Sequence, residues 1–184
     1  MQMQPGYSVV QKLLHWIIAL CVLVLIPVGL WMSSRATANL WDTLTDALYA
    51  WHKAIGFLVL WTMFIRLLIK LRQGTPPYPS TLSTHLIITA KIVHGLIYVL
   101  LIAVPMLGWA GVTAYPALIT IGGYNLPALP FIPKSEALAK QIFNLHGVLA
   151  MTLGVIALGH IAAALKHLMI DRDGVFQRMW HNKT

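Results

Sequence analysis

Four long apolar runs fix what this chain can become. They cover residues 13–34, 48–71, 86–112 and 142–168. A helix needs about 20 apolar residues to cross the hydrocarbon core of a bilayer. Lipid offers no hydrogen bonds to an open backbone, so runs of this kind cross as helices. Leu13–Ser34 carries no Lys, Arg, Asp or Glu. Lys53 and Arg66 fall inside the second run, but near its ends, where long side chains reach the headgroups. Pro105 predicts a kink towards the far end of the third. The expected fold class is all-α: a polytopic membrane protein, a four-transmembrane-helix bundle. The expected organisation is one domain over 1–184, with a loop at 113–141 and a tail at 169–184.

Charge supports that reading. Only 10% of the residues are charged, against about 25% in a soluble domain. The net charge of +8 would raise nucleic-acid binding in a soluble protein. Here the basic residues flank the apolar runs, so no nucleic-acid partner is expected. One side of the bundle collects Lys12, Arg66, Lys70, Arg72, Lys91, Lys166, Arg172, Arg178 and Lys183; the other has Arg35, Lys53, Lys134 and Lys140. The positive-inside rule then puts both termini in the cytoplasm and the 113–141 loop in the periplasm of a bacterial inner membrane. That loop holds Pro116, Pro127, Pro130, Pro133, Gly122 and Gly123, which reads as an ordered or semi-ordered connection and not a fifth span. Ala36-Thr37-Ala38 resembles a signal-peptide cleavage site, but the apolar run before it is too long and Lys12 alone is a thin basic flank.

Histidines give the bundle its chemistry. His15 opens the first run, His52 opens the second, and His146 and His160 share the fourth. Fourteen residues of helix rise about 21 Å and return to within about 40° of the same face. The fourth helix therefore presents two imidazoles on one face, near opposite membrane surfaces. With alternating helix directions, His15 matches His160 in depth on the cytoplasmic side, and His52 matches His146 on the periplasmic side. Ionisable side chains inside a span are rare and usually functional. Haem b iron takes one neutral imidazole on each side. The expected cofactors are two b haems in the bundle core, with His15 and His160 on the inner iron and His52 and His146 on the outer. A single four-histidine zinc site needs its ligands clustered, and His146 and His160 are too far apart. Cys21 stands alone and there is no CxxCH, so neither a disulfide framework nor covalent c-type haem is expected.

The fourteen-residue step recurs. Gly29 follows His15 by fourteen, Arg66 follows His52, and Gly108 follows His94. Gly29 is expected level with the outer haem, giving the porphyrin room. Arg66 is expected level with the inner haem, on a propionate. His167 lies seven residues beyond His160, so it falls on the same face of the fourth helix, roughly 10.5 Å further inward. Lys53, Lys134 and Lys140 form a candidate basic mouth for an anion on the outer side.

These residues are where the chain resembles the bacterial cytochrome b561 proteins, small four-helix dihaem proteins of the inner membrane. The marks are His15-Trp16, His52-Lys53-Ala54-Ile55-Gly56, Arg66-Leu67-Leu68, His94-Gly95-Leu96-Ile97-Tyr98, Pro105-Met106-Leu107-Gly108, Ala164-Leu165-Lys166-His167 and Ile170-Asp171-Arg172-Asp173. Together they cover nearly the whole chain. The resemblance implies electron transfer between quinone and another redox partner, and in some members superoxide oxidation with ubiquinone as acceptor. It implies the axial role for His15, His52, His146 and His160, and a quinone link for His167, which with Lys91, His94 and Lys166 is then the candidate lining of a quinone pocket; a histidine suits the proton uptake of quinone reduction. Lys91 stands where a relative carries a second histidine. Two filled axial positions per iron argue for outer-sphere electron transfer, by an oxidoreductase or a pure carrier. Two rival readings stay open: a haem-bearing anchor subunit for a periplasmic redox enzyme docked at the 113–141 loop, and a haem-free metal transporter. A homodimer also stays open.

Overall fold

A computed structural model describes residues 6–79, 82–121 and 123–180 of the chain. Gly122, Lys183 and His181, to which no role is assigned, lie outside the described residues. Four long helices account for most of the rest: α1 Val9–Thr37, α2 Thr43–Gln73, α3 Thr84–Ala114 and α4 Glu136–Lys166. All four are long and apolar enough to cross a membrane. Large apolar side chains such as Leu20, Leu58, Val99, Val155 and Leu158 face outward along them. A water-soluble bundle would bury that surface; in a bilayer, lipid covers it.

Three of the four long helices, α1, α2 and α4, begin at a side-chain cap in polar sequence ahead of their apolar runs. The Ser8 hydroxyl accepts the Gln11 amide while the Gln11 side chain returns to the Ser8 amide, a capping box that starts α1 four residues before Leu13. Asp42 accepts the Thr45 amide at 2.9 Å and starts α2. Thr45 and the Arg35 guanidinium lie around the same carboxylate. The Thr45 backbone bond first, and then Arg35, hold Asp42 below the usual carboxylate range. Ser135 caps α4 through the Leu138 amide. The loop expected up to residue 141 therefore ends at Ser135, and 136–141 are helix. Inside that loop a small antiparallel hairpin pairs Thr120 with Asn125 and Ile121 with Tyr124, with Gly123 at φ +85° in its turn.

The packing is uneven. α1 lies on α2, α2 on α3, and α3 closely on α4. α4 barely approaches α1 and hardly touches α2. A mid-depth layer holds the bundle together: Ile18, Val59, Met63, Leu100, Leu101 and Leu153 are buried, with Leu25, Leu149 and Ile156 against them. Leu153 stands midway between His146 and His160, so this dry layer separates the two histidine levels.

The tail is not free in solvent. Residues His167–Asp171 form one π-helical turn, and α5 (Gln177–Trp180) folds back beneath the bundle. The Trp16 indole donates to the Met179 carbonyl at 3.0 Å and meets Trp180 edge-on. Arg178, 7% exposed, donates to the Pro77 carbonyl and lies over the Tyr7 ring. Burial raises the Tyr7 hydroxyl above the usual tyrosine range.

Candidate haem and electron-transfer site

His15 and His160 face each other with ring centres 6.3 Å apart. His52 and His146 do the same at 6.2 Å. Both pairs span the gap that α4 leaves against α1 and α2. The separation has a simple test. A metal–imidazole bond of about 2.0 Å, with the ring centre roughly 1.1 Å behind the nitrogen, puts two trans imidazoles about 6.2 Å apart. Both observed separations match that value, with the ring planes crossed at 83° and 72°.

The His52–His146 pair carries further signs of a ligand site. His146 Nδ1 lies 2.9 Å from the Val104 carbonyl. A carbonyl only accepts, so Nδ1 carries the proton and Nε2 keeps its lone pair for a metal. Gly108 sits one turn beyond Val104 on α3, and a Cβ there would stand 3.3 Å from His146 Cε1. Its bare backbone lets the imidazole reach the carbonyl. On α1, a Cβ at Gly29 would come within 3.1 Å of His52 Cε1. Gly29 is level with the outer histidines, as its spacing suggests, but the room it leaves is taken by the His52 ring. His52 Nδ1 is buried without a hydrogen-bond partner. An orphaned polar atom of this kind marks a site whose full set of partners includes another group.

The inner level holds a third imidazole. His94 on α3 lies 5.3 Å from His160, centre to centre. That is about 1 Å short of the trans separation derived above. By distance His15, and not His94, stands at that separation from His160, and His94 packs against the His160 ring. Arg66 also sits here. Its Nε donates to the Tyr98 hydroxyl at 3.0 Å and its Nη1 to the Gln11 carbonyl at 3.4 Å. The guanidinium is within electrostatic range of His15, His94 and His160, which is the level its spacing gives.

The expected quinone lining is not assembled as one cluster. His94 belongs with the inner imidazoles. Lys91, one turn away, points at the Tyr78 ring. His167 turns to Asp173 and Asp171, and Lys166 pairs with Asp171. On the outer side, Lys53 does not stand open as part of a basic mouth: its Nζ donates to the Ala117 and Leu118 carbonyls at 3.3 and 3.2 Å and ties the loop to α2. Sequence spacing missed the tail contacts of Trp16 and Arg178, which depend on residues more than a hundred positions apart.

A family profile described as prokaryotic cytochrome b561 matches residues 6–182. The chain belongs to that family. Among its relatives, cytochrome b561 homolog 2 of Escherichia coli K12 is 31% identical over 175 residues, covering 94% of this chain and 90% of the relative. A probable superoxide oxidase CybB of Yersinia pestis is 30% identical over 187 residues, covering 98% and 99%. Cytochrome b561 homolog 1 of E. coli K12 is 27% identical over 176 residues, covering 94% and 96%. This b561 protein is thus a multi-pass membrane cytochrome of the b type, working in electron transfer. The four apolar helices and the haem chemistry expected of the bundle have one common explanation.

Proposed function

We propose that this b561 protein carries single electrons across the bacterial inner membrane through two bis-histidine b haems and exchanges them with membrane quinone on the cytoplasmic side. The observation that carries the reading is the pair of imidazole separations, 6.3 and 6.2 Å, each suited to one iron. His15 and His160 hold the inner haem; His52 and His146 hold the outer. Each b haem, when bound, would supply a one-electron couple. The residues do the rest. Val104 fixes the proton on His146 Nδ1. Gly29 and Gly108 let the outer imidazoles seat against bare backbone. Arg66, held by Tyr98 and Gln11, offers its charge to an inner propionate. The layer around Met63 and Leu153 keeps water out between the two levels.

The Lys and Arg distribution supports cytoplasmic termini. That puts His167 on the cytoplasmic side, beyond the inner pair, where quinone headgroups are accessible. The relative named a probable superoxide oxidase suggests superoxide as a donor at the outer face for this chain too. The test is ligand by ligand. His15→Ala or His160→Ala should leave one haem per chain, the outer; His52→Ala or His146→Ala should leave the inner. Purified protein given superoxide and a short-chain ubiquinone analogue should reduce the quinone, and His52→Ala should abolish this. Loss of both haems from every single variant at normal membrane level would refute the pairing. Quinone reduction that survives loss of the outer haem would refute the outer entry.

A further inference from the structure

We propose that Asp173 is the positioning residue for His167 in quinone chemistry, resting on the cytoplasmic quinone site proposed above. His167 Nδ1 lies 2.6 Å from Asp173 Oδ2, and both side chains are only 17% exposed. A regular helix would not allow this contact. Six residues of α-helix advance about 9 Å and turn about 240°, which would carry residue 173 to another face. The chain instead opens into the π turn at His167–Asp171, and Arg172 adopts a left-handed conformation at φ +51°. Those two departures fold Asp173 back onto the imidazole. A left-handed non-glycine residue is a local cost, and π turns recur at functional sites.

The carboxylate is itself fixed. Asp173 Oδ1 accepts the Val175 amide at 3.1 Å, so Oδ2 is aimed at His167. Asp171 does not share the role. Its oxygens take the Lys166 ammonium at 2.6 and 2.7 Å, and its approach to His167 is 3.4 Å. Lys166, Arg172, Asp171 and Asp173 are the charged groups of this turn.

The chemistry follows from which atoms are committed. A carboxylate only accepts, so Asp173 keeps a proton on Nδ1 and leaves Nε2 as the one exchanging nitrogen. Reducing a quinone to a quinol takes two electrons and two protons. The electrons arrive singly from the donor side. His167 gives the Nε2 proton to one quinone oxygen as the N–H bond breaks and the O–H bond forms, leaving a neutral imidazole still bonded to Asp173. The other oxygen takes its proton from the aqueous face, which also reloads Nε2. This is the orienting role a carboxylate plays behind a catalytic histidine.

The experiment uses the full chain with its haems, reduced by dithionite, freed of excess reductant by anaerobic gel filtration and then mixed with a short-chain ubiquinone analogue. Haem reoxidation is followed against quinone concentration. Asp173→Asn should lower the limiting rate about tenfold or more, with half-saturation within about twofold and a larger solvent deuterium effect. The 15N spectrum of His167 should show the proton leaving Nδ1, because the asparagine amide can donate to that nitrogen. Asp171→Asn should change the limiting rate less than about twofold. If Asp173→Asn does not accumulate with both haems, Asp173→Ser is read by the same criteria, since its hydroxyl can still accept the Val175 amide. An unchanged limiting rate in the Asp173 variant, or a change in half-saturation alone, overturns the proposal if His167→Ala is slow. If His167→Ala itself exchanges with quinone at the normal rate, the cytoplasmic site falls, and this role with it.

Discussion

Gly29 tests the outer site without touching a ligand. Its missing side chain is where the His52 ring lies: a Cβ would stand 3.1 Å from Cε1, 3.7 Å from Nδ1 and 4.0 Å from Nε2. Ordinary contact begins near 3.4 Å, so alanine asks the ring to retreat by about 0.3 Å (3.4 minus 3.1). Helix propensity favours alanine over glycine by about 1 kcal/mol. Overpacking a fitted site costs typically about 1–3 kcal/mol. The net cost is about 0–2 kcal/mol, and the His52 ring has no Nδ1 partner to lose. Gly29→Ala should therefore fold, keep two haems and shift the midpoint of one of them. Gly29→Leu is different in kind. Its branched side chain occupies the ring's own volume, and His52 cannot stay at its 6.2 Å separation from His146. That variant should hold one haem per chain. The assay is haem content with a reductive titration, and the inner haem is the internal control. Two unperturbed haems in Gly29→Leu would refute the seating of His52 against α1. Loss of the inner haem alone would refute the assignment of Gly29 to the outer level.

Three further outcomes follow from the same geometry. Arg66→Leu removes a cation beside the inner pair, which favours ferric iron; a charge about 8 Å away at an effective dielectric of 20 contributes at most about 2 kcal/mol, or about 90 mV for one electron. The inner midpoint should fall by up to that amount while the outer stays put, and equal potentials in mutant and wild type would show that Arg66 only reaches the headgroups. Gly108→Leu should displace His146 from the Val104 carbonyl and remove the outer haem, read by haem content; retention of both would refute that support. Asp42 is held below its ordinary value of 3.8, so its cap on α2 is fully present above that pH and is lost as pH falls through the lower folded value; protection of the Thr45 amide, its exchange taken relative to the intrinsic rate at each pH, should fall there in wild type and stay flat over that range in Asp42→Asn.

The bundle was legible because length alone separates a membrane span from a soluble helix, and the histidine levels because α4 carries two imidazoles on one face. Depth matching then pairs His15 with His160 and His52 with His146, and the same pairs face each other in the fold. Depth does not say who touches whom. His94 was placed at the cytoplasmic end by its position on α3, yet only packing shows its ring 5.3 Å from His160 and Lys91 turned aside to Tyr78. The start of α4 at Glu136 is hidden because Glu136, Lys140 and Gln141 break the apolar pattern of this first turn and a half, and a search for uninterrupted apolar runs begins at Ile142. The Lys53 bonds to loop carbonyls and the docking of Arg178 beneath Tyr7 and Pro77 are long-range contacts that no local pattern encodes. The return of Asp173 to His167 depends on one π turn and one left-handed residue, neither of which propensity specifies.

The most direct test of the central claim is haem stoichiometry read together with electron paramagnetic resonance of the oxidised protein. Two b haems per chain, both low-spin with two imidazole ligands, is the expected result. One haem per chain, or a high-spin iron with an open axial position in freshly purified wild-type protein, would contradict it.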